Sequence, residues 1–598
     1  MKGATRTVRT LALALCVLLC CALAGCGAPE TASSPFSALS FSLEINDARE
    51  PISCFWQGDG SCVVFLPSCA RMDRLSVNLP KKSDATLGGT ALTDGMTCGA
   101  FRIGTDYELA FGNKTVSLCF MQAENVPALY VHTQSGDMEF VHAQKTNKEP
   151  ARLLLVTADG EVAYESAGMD SIRGRGNSTW SKAKKPYNLY LRQSADLLGM
   201  GEANDWVLLA NAFDETNLRN RVIFDFAKRV TGDPRIAPDT AFTDLWLNGE
   251  YAGLYLLTEK VQIAENRLDI DPDSMLFSWV KTARNDSFFA LNSTSSVEIE
   301  SPKKISAERQ KELQTYLLSW QDALSSDGEW QKYIDVESFV HKYLIEEAFL
   351  NSDLYNSQYF YIEPNGKMTA GPCWDYDLTL GVCWRNTWST PNCFSAQNKL
   401  DENETWYSEL WKKDAFRARA LELFRTQYLP LLTELADGGI EREAQAIAAS
   451  SGMNALRWNE LFGGRTSEQA VTEMTQFFKR RIAFLRSAWI DGTQYCTLTL
   501  RHPVKYEYIS VPPGTVCTEF PQPQGLDLPE KTVWLRADTG EPFDPQSVID
   551  EDVTLVLPRQ PKPISRRTIL MIGAITAMAA MVVATVLLDW LRRRKKRK

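Results

Sequence analysis

The stretch from Asn351 to Gly381, NSDLYNSQYFYIEPNGKMTAGPCWDYDLTLG, places acidic side chains at the ends of regular elements. An amphipathic run ends at Asp353, and an apolar-rich hairpin ends just before Asp375 and Asp377 in Trp-Asp-Tyr-Asp. Two such ends can bring carboxylates into one cleft, one as a base and another as a ligand for a hard cation. Ordinary turn chemistry is the alternative for any single Asp. Three carboxylates in this pattern favour a site.

The composition limits the class of protein. With 598 residues, 44% of them hydrophobic and 23% charged, the chain is long enough for several globular domains. Its formal net charge is −10, and because both ends are basic, the part between them is still more acidic. Such a body repels nucleic acid, so we expect no nucleic-acid partner. Four scattered histidines argue against a histidine zinc site or a Ser-His-Asp triad.

The N-terminus predicts export. Residues 1–26, MKGATRTVRTLALALCVLLCCALAGC, have the basic start, apolar run and small residues of a secretory signal. The closing Leu-Ala-Gly-Cys resembles a bacterial lipobox, which implies a lipoprotein signal with the lipid on Cys26. A plain signal peptide cut nearby is the alternative. Residues 27–35 form a short flexible linker.

The C-terminus predicts a second attachment. Residues 568–588, TILMIGAITAMAAMVVATVLL, are uncharged and long enough for a transmembrane helix. A linker, 558–567, precedes them, and a basic tail, 589–598, follows. Because positive charge stays on the cytoplasmic side, the tail is expected in the cytoplasm and the body outside. We therefore expect the protein at the cell membrane, with its body extracytoplasmic.

Ten cysteines follow the signal, and their pairing is open. An extracytoplasmic location permits disulfides, and no CxxC motif supports a zinc ribbon. The first two clusters have five and three members, so each leaves at least one thiol free or paired elsewhere. Buried free thiols acting as small hydrophobic side chains are the alternative. The ten are Cys54, Cys62, Cys69, Cys98, Cys119, Cys373, Cys383, Cys393, Cys496 and Cys517.

Three regions of different patterning lie between the ends. Residues 36–150 contain short alternating strands separated by Gly, Asp and Asn, typical of a β-sandwich-like module. Residues 151–490 mix strands and helices, beginning with two strands joined by a turn near residue 159. Residues 495–557 contain short strands again. The predicted fold class is therefore α+β.

A basic stretch, IRGRGNSTWSKAKKPYNLYLR, occupies residues 172–192. Its glycines let backbone N–H groups approach a phosphate, and its cations supply opposite charge. A solvated basic hairpin is the alternative. The side chains concerned are Arg173, Arg175, Asn177, Lys184 and Lys185.

The next segment, 205–232, reads as a strand and then a helix, with Asp214 as N-cap and Gly232 just past the end. Arg219 lies off the apolar stripe of this helix, where charged side chains are usually solvated. The predicted buried stripe is Leu218, Val222, Ile223, Phe226 and Val230.

A hairpin turning at Asn248-Gly249 follows and ends at Glu259. Two amphipathic helices, 306–325 and 335–350, come next, and Asp335 is the predicted cap of the second. The order is strands with one helix, followed by a helical half that ends in acidic loops. This is the order of a two-lobed kinase-like domain.

Together, RGRGNSTW, KKPYNLYL, FDETNLRNRV, NGEYAGLYLLTEKV and WDYDLTLG resemble the spore coat protein H (CotH) kinase family, from about residue 170 to 385 with a helical tail to about 490. The resemblance implies an atypical protein kinase that uses ATP and Mg²⁺ or Mn²⁺ to phosphorylate Ser or Thr of protein substrates at the cell surface or coat.

The resemblance also implies roles for the acidic residues. Asp353 matches the catalytic aspartate that accepts the substrate's hydroxyl proton, and Asp375 matches the metal-binding aspartate. Asp377 is its second carboxylate. Where the family often has a metal-binding Asn, this chain has Gln358, with Asn356 two positions earlier.

The resemblance to the CotH kinase family also implies nucleotide-binding residues. Lys184 or Lys185 matches the phosphate lysine, and Glu259 is expected at the hinge near the adenine. The residues matching the basic loop and the helix arginine are Arg173, Arg175, Asn177 and Arg219.

The remaining chain adds a long helix at about 466–489 and a segment, KTVWLRADTGEPFDPQSVIDEDVTLVL, that resembles the Listeria–Bacteroides repeat, a small β-grasp module. Two functions stay open at this point. One is a membrane-tethered atypical protein kinase, and the other is a catalytically weak kinase-like surface scaffold or adhesin.

Overall fold

The computed structural model describes most of the body of the chain. Cys26, the predicted signal and the predicted transmembrane segment lie outside the described residues. Among the residues that are described, no helix is long and apolar enough to cross a bilayer. The described residues are 35–557 without 47, 81–82, 281–286, 292–294, 327, 355, 384–389, 397–405, 503–504 and 517–532.

The chain divides into two compact units. The first comprises Met1–Trp384 and Phe394–Thr493. The second comprises Arg385–Cys393 and Gln494–Lys598.

Short strands build the first part of unit one, as the sequence predicts. Within the described residues, three form a sheet in the order β2-β1-β5 and six form another in the order β3-β4-β9-β8-β6-β7. Phe41 of the smaller sheet and Val64 and Phe120 of the larger one are fully buried in a shared core. The strands are β1 (Ser40–Ile45), β2 (Ala48–Ser53), β3 (Phe55–Trp56), β4 (Cys62–Leu66), β5 (Leu75–Asn78), β6 (Ala85–Leu87), β7 (Thr90–Ala91), β8 (Asp106–Phe111) and β9 (Lys114–Gln122).

A larger sheet follows, in the order β10-β16-β17-β15-β14-β13-β11-β12. Its strand β10 lies inside the range 36–150 but pairs in parallel with β16. Leu129 and Val131 of β10 are buried with Leu153 of β11, so this core begins before residue 151. The elements are β10 (Ala128–Thr133), α1 (Glu139–Ala143), β11 (Lys148–Val156), β12 (Val162–Glu165), β13 (Asp170–Gly174), β14 (Tyr187–Asp196), β15 (Glu202–Leu209), β16 (Thr240–Leu247) and β17 (Glu250–Glu259).

The predicted turn between β16 and β17 is confirmed. Asn248 has φ 51° and Gly249 has φ 87°. Positive φ at both central residues is the requirement of a type I′ turn, which Asn-Gly meets at low cost. The turn fixes the register of two neighbouring strands of the sheet.

Helix α2 (Arg219–Thr231) is confirmed with its buried stripe, and Gly232 ends it with φ 69°. The predicted N-cap is wrong, because Leu218 occupies that position. Asp214 instead accepts a hydrogen bond from the backbone N of Arg219 at 2.8 Å. The expectation of a solvated Arg219 is also wrong, since its side chain is 5% exposed and pairs with Asp214.

A smaller sheet, β19-β20-β18-β21-β22, carries the hairpin of the acidic stretch. Asp335 caps the helix before it, accepting from the backbone N of Ser338 at 2.8 Å, as predicted. The elements are β18 (Met275–Val280), β19 (Phe288–Ala290), β20 (Ser296–Ser301), α3 (Ala307–Ser325), α4 (Val336–Ala348), β21 (Gln358–Ile362) and β22 (Met368–Ala370).

Helices complete unit one. The longest, α10 (Ser467–Trp489), starts at a capping box of Thr466 and Gln469 and buries Phe478 and Leu485, confirming the predicted helix. The helices before it are α5 (Trp406–Trp411), α6 (Asp414–Leu423), α7 (Leu429–Glu434), α8 (Ile440–Ala446) and α9 (Ala448–Arg457).

The second unit contains short strands, as expected. Four form a sheet in the order β24-β23-β28-β26, and β25 pairs with β27. Leu498, Leu500 and Leu555 are buried in its core. The resemblance to a Listeria–Bacteroides repeat stays a prediction. The strands are β23 (Cys496–His502), β24 (Lys505–Val511), β25 (Thr515–Val516), β26 (Leu535–Arg536), β27 (Val548–Ile549) and β28 (Val553–Val556).

Candidate functional site

Two loops of the acidic stretch are held together by their backbones. The N–H of Ser352 donates to the carbonyl of Leu378 at 3.0 Å, and the N–H of Leu380 donates to that of Phe349 at 3.0 Å. These bonds join the end of α4 to the segment after β22. Asp353 and Asp377 therefore belong to loops that are fixed side by side.

The same loops contain strained backbone. Leu350, Ser357, Asp375 and Leu380 have φ of 50°, 56°, 69° and 48°. Left-handed conformations are costly for residues other than glycine and cluster at functional sites. The concentration of four in one loop pair indicates that the surrounding fold imposes these turns.

The predicted carboxylates lie close enough to influence one another. Asp377 is 7% exposed, and burial, followed by the charges of Asp375, Asp353 and Asp214, raises its pKa well above the usual range. Asp353 accepts from the side-chain amide of Asn356 at 2.8 Å. The arrangement concentrates negative charge that a cation would neutralise.

Gln358 supplies an independent sign of a missing partner. Its side chain is buried, with 2% exposed, and among the described residues neither Oε1 nor Nε2 has a hydrogen-bond partner. Buried amide groups are almost always paired. Gln358 follows Ser357, whose hydroxyl donates to Asp375 at 3.2 Å, and amide oxygens are ligands that hard cations use.

The donor set suits magnesium or manganese shared with phosphates. Among the described residues, no three His, Cys, Asp or Glu side chains form a closed metal cage. Mg²⁺ is usually held by one or two carboxylates together with substrate phosphates and water. The residues that fit are Asp375, Asp377 and Gln358.

The RGRGN loop is brought to this acidic region. The guanidinium of Arg175 lies 5.5 Å from the ring centroid of Trp374. Burial lowers the pKa of Arg175, and the charges of Asp375 and Asp377 oppose that effect. Thus Arg175 faces the carboxylates, although they lie about 200 positions apart along the chain.

Glycine is required in this loop for a steric reason. A Cβ on Gly174 would lie 2.4 Å from the ring of Trp180.

Arg173 lies 5.6 Å from the Tyr190 ring, and its buried Nε has no partner in the described residues. Asn177 is exposed and accepts from Lys145 at 3.1 Å.

The two lysines have different environments. Lys184 is fully buried, and its Nζ donates to the carbonyl of Leu254 at 2.5 Å. Burial lowers its pKa to about 7, opposed by the charges of Asp244 and Asp214. Lys185 donates to the carbonyl of Trp180 at 2.9 Å and holds its own loop.

Arg219 fastens the loop that follows Asp377. Its Nε donates to the carbonyl of Thr379 at 2.9 Å and its Nη2 to that of Leu380 at 3.3 Å. The ion pair with Asp214 fixes the other side of the guanidinium. These contacts make Arg219 a positioning residue.

Asn220 is a site residue that the sequence reasoning missed. Its Oδ1 accepts from the backbone N of Tyr376 at 2.8 Å, between the two aspartates of the Trp-Asp-Tyr-Asp motif. The signal was its place in the sequence Leu-Arg-Asn-Arg, beside the matched Arg219.

Glu259 lies at the end of β17 in a different set of contacts. It pairs with Arg267 at 2.8 Å and accepts from the backbone N of Asp239 at 2.8 Å. Burial raises its pKa. No contact among the described residues joins Glu259 to the carboxylates of the acidic stretch.

Comparison with known protein families gives a match over this part of the chain. The family described as CotH kinase protein matches residues 172–485, slightly more than half of the 598 residues. No curated protein matches the chain. The matched range includes the basic loop, α2 and both acidic loops. The chain therefore belongs to the CotH kinase protein family.

Proposed function

We propose that this kinase-like protein transfers the γ-phosphoryl group of ATP to Ser or Thr hydroxyls of protein substrates. The observation that carries the proposal is the meeting of Asp353, Asp375 and Asp377 with Arg175, together with a buried Gln358 whose amide has no partner among the described residues. Phosphoryl transfer needs positioned charge more than covalent chemistry from the protein.

Asp353 is the proposed base. It is half-buried, and the amide of Asn356 holds Oδ1 at 2.8 Å. That contact orients the carboxylate that would accept the proton of the substrate hydroxyl. Oriented in this way, Asp353 also attracts the hydroxyl to the position from which it attacks.

Asp375, Asp377 and Gln358 are proposed to hold Mg²⁺ or Mn²⁺. Such a cation, when bound, neutralises phosphate charge and fixes the triphosphate. The chain's own part is to place the oxygens, which Asn220 and Arg219 do by bonding to the backbone on either side of Asp377.

Arg175 and Lys184 are the proposed phosphate-binding cations. That Lys184 and Asp377 both sense the charge of Asp214 supports a phosphate role for this lysine. Both lysines donate to carbonyls, so the influence of Asp214 is our ground for assigning the phosphate role to Lys184. Arg173 and Asn177 complete the loop, and Glu259 remains the proposed hinge residue.

The place of action is also a proposal. The lipobox ending at Cys26 and the apolar segment 568–588 support an extracytoplasmic body tethered to the cell membrane. Its protein substrates would then be at the cell surface or coat.

The test is ATP binding measured by calorimetry with and without Mg²⁺ or Mn²⁺. Arg175→Ala is expected to weaken metal-dependent binding about ten- to hundredfold, because a charge-assisted contact is lost. Asp335→Asn is the matched control, since Asn also caps helices and Asp335 lies at the start of α4.

Equal affinity in the parent and Arg175→Ala, with normal melting of both, would contradict the nucleotide site. Failure of the parent to bind ATP with either metal would favour the kinase-like scaffold instead.

A further inference from the structure

Two cysteines of the N-terminal module face each other across a hairpin. In the β3–β4 pair, Trp56 is opposite Cys62 and Phe55 is opposite Val63. Side chains alternate along a strand, so Cys54 lies on the same face as Trp56 and Cys62. Cys54 and Cys62 are therefore diagonal neighbours on one face of the hairpin.

The two thiols lie close enough to interact, because Cys62 is the first cause of the raised pKa of Cys54. Cys62 is 1% exposed and Cys54 is half-buried. A disulfide requires side chains that point toward each other, and two interacting thiols on one face of a hairpin are placed for it.

The remaining thiols of the module have other surroundings. Cys98 is completely buried, and burial raises its pKa to about 12. Cys119 directs its thiol to the carbonyl of Phe120 at 3.7 Å. Cys69 is half-buried, and burial raises its pKa. The five cysteines of the module therefore comprise one neighbouring pair, Cys54 and Cys62, and three thiols in separate surroundings.

We propose that Cys54 and Cys62 form a disulfide bond when the chain meets an oxidised small-molecule or protein disulfide. The thiolate of one cysteine attacks the donor disulfide and releases one donor thiol. The second cysteine then attacks the mixed disulfide, forms the Cys54–Cys62 bond and releases the other donor thiol. The chain loses two protons and two electrons, and the donor disulfide accepts both electrons.

The bond would close the hairpin that forms one wall of a cleft. The cleft, of about 760 Å³, is lined by Phe55, Trp56 and the turn after them, and opposite by the segment that follows α9. Arg457 bridges the two walls, with its guanidinium 4.9 Å from the Phe55 ring centroid and 4.4 Å from that of Trp458. A closed hairpin therefore holds this wall against the family-matched domain.

The reactivity of the Cys54 thiol determines when the disulfide can form. The partner thiol and burial raise the pKa of Cys54 well above its ordinary value, so little thiolate exists in the folded, reduced protein. The bond is expected to form while the chain folds, when both cysteines are open to the donor. This inference does not depend on the kinase proposal.

The test refolds the purified full chain, reduced in denaturant, in a mixture of reduced and oxidised glutathione. Remaining thiols are alkylated in denaturant, and the chain is cut with trypsin and chymotrypsin. Cleavage at Phe55 or Trp56 and at Phe65 puts Cys54, Cys62 and Cys69 on separate peptides. Mass spectrometry without reduction identifies which peptides are linked.

The expected result is a linked pair of peptides carrying Cys54 and Cys62, which reduction separates. Cys69→Ser is the matched control and should keep the pair. Cys54→Ser should lose it and leave Cys62 alkylated. Alkylation of both Cys54 and Cys62 in the parent, or linkage of Cys62 to any other cysteine, would overturn the proposal.

A second readout does not require the variants to fold equally well. Amide exchange in the parent should be slower for the turn between β3 and β4 in the oxidised form than after reduction, because the bond restricts opening of the hairpin. Equal exchange in the two forms would contradict the role of the bond in holding the cleft wall.

Discussion

Helix α4 and the acidic stretch that follows it, residues 351–381, differ in how buried charges are paired. Inside α4, Glu346 pairs with Lys342 and accepts from Asn351 at 2.7 Å. Glu347 pairs with Arg481 at 2.7 Å and accepts from the backbone N of Ser395 at 2.7 Å. Every one of these charges has an opposite charge or a donor from the protein.

Within the acidic stretch that follows α4, the pattern reverses. Asp377 is buried among like charges, and the amide of Gln358 has no partner among the described residues. Buried polar groups that serve only the fold are satisfied by the fold. Groups left open, with backbone strain around them, mark the place where a ligand supplies the missing contacts.

The largest expected change in unfolding free energy concerns the paired charges around α4. Replacing Arg481 by Met leaves Glu347 charged and buried without its cation, which should cost about 3–5 kcal/mol of unfolding free energy. Urea denaturation of the full chain measures it. A loss below about 1 kcal/mol would show that Arg481 is not essential to the balance of charge around α4.

The matched variant in the acidic stretch is Asp377→Asn. It keeps the shape of the side chain and removes one of several like charges, so the unfolding free energy should stay level or rise. A loss as large as that of Arg481→Met would mean that Asp377 is a structural residue of the fold, and the contrast between the two regions would fail.

Lys184 offers a smaller, pH-dependent effect. Because burial lowers its pKa to about 7 while an unfolded lysine titrates near 10.4, the unfolded chain binds the extra proton between these values. The contribution of Lys184 to the unfolding free energy therefore becomes more favourable as pH rises from 7 toward about 10.4. Relative to Lys184→Met, the parent should gain about 2 kcal/mol between pH 7 and pH 9.

Denaturation midpoints of both proteins at the two pH values check this expectation. Identical pH dependence of the parent and Lys184→Met would show that the lysine titrates normally and lies in water. Lys185→Met is the control and should leave the difference between pH 7 and pH 9 unchanged.

Local signals in the sequence predicted the elements well. Asn248-Gly249 requires only its own turn geometry, and Asp335 needs only the three residues after it to act as a cap. The resemblance to a family likewise selected Arg175 and Asp375, which the structure places in one region. In these cases the deciding contacts are short-range or are carried by whole motifs.

Other features depended on partners far along the chain. Arg219 is buried where it donates to the carbonyl of Thr379, and Lys184 is buried where it donates to that of Leu254 on β17. The open amide of Gln358 is a property of everything packed around it. Periodicity and capping rules contain no information about such contacts, so the helix face around Arg219 was expected to be solvated.

The most direct test of the central claim is phosphoryl transfer from γ-labelled ATP by the full chain, comparing the parent with Asp353→Asn and Asp375→Ala. The account predicts that Asp353→Asn keeps metal-dependent ATP binding but slows transfer by about 10²–10⁴-fold, the range of a lost general base. Asp375→Ala should lose metal-dependent binding itself. Transfer at the parental rate by Asp353→Asn, or binding unchanged in Asp375→Ala, would contradict the assignment of these carboxylates.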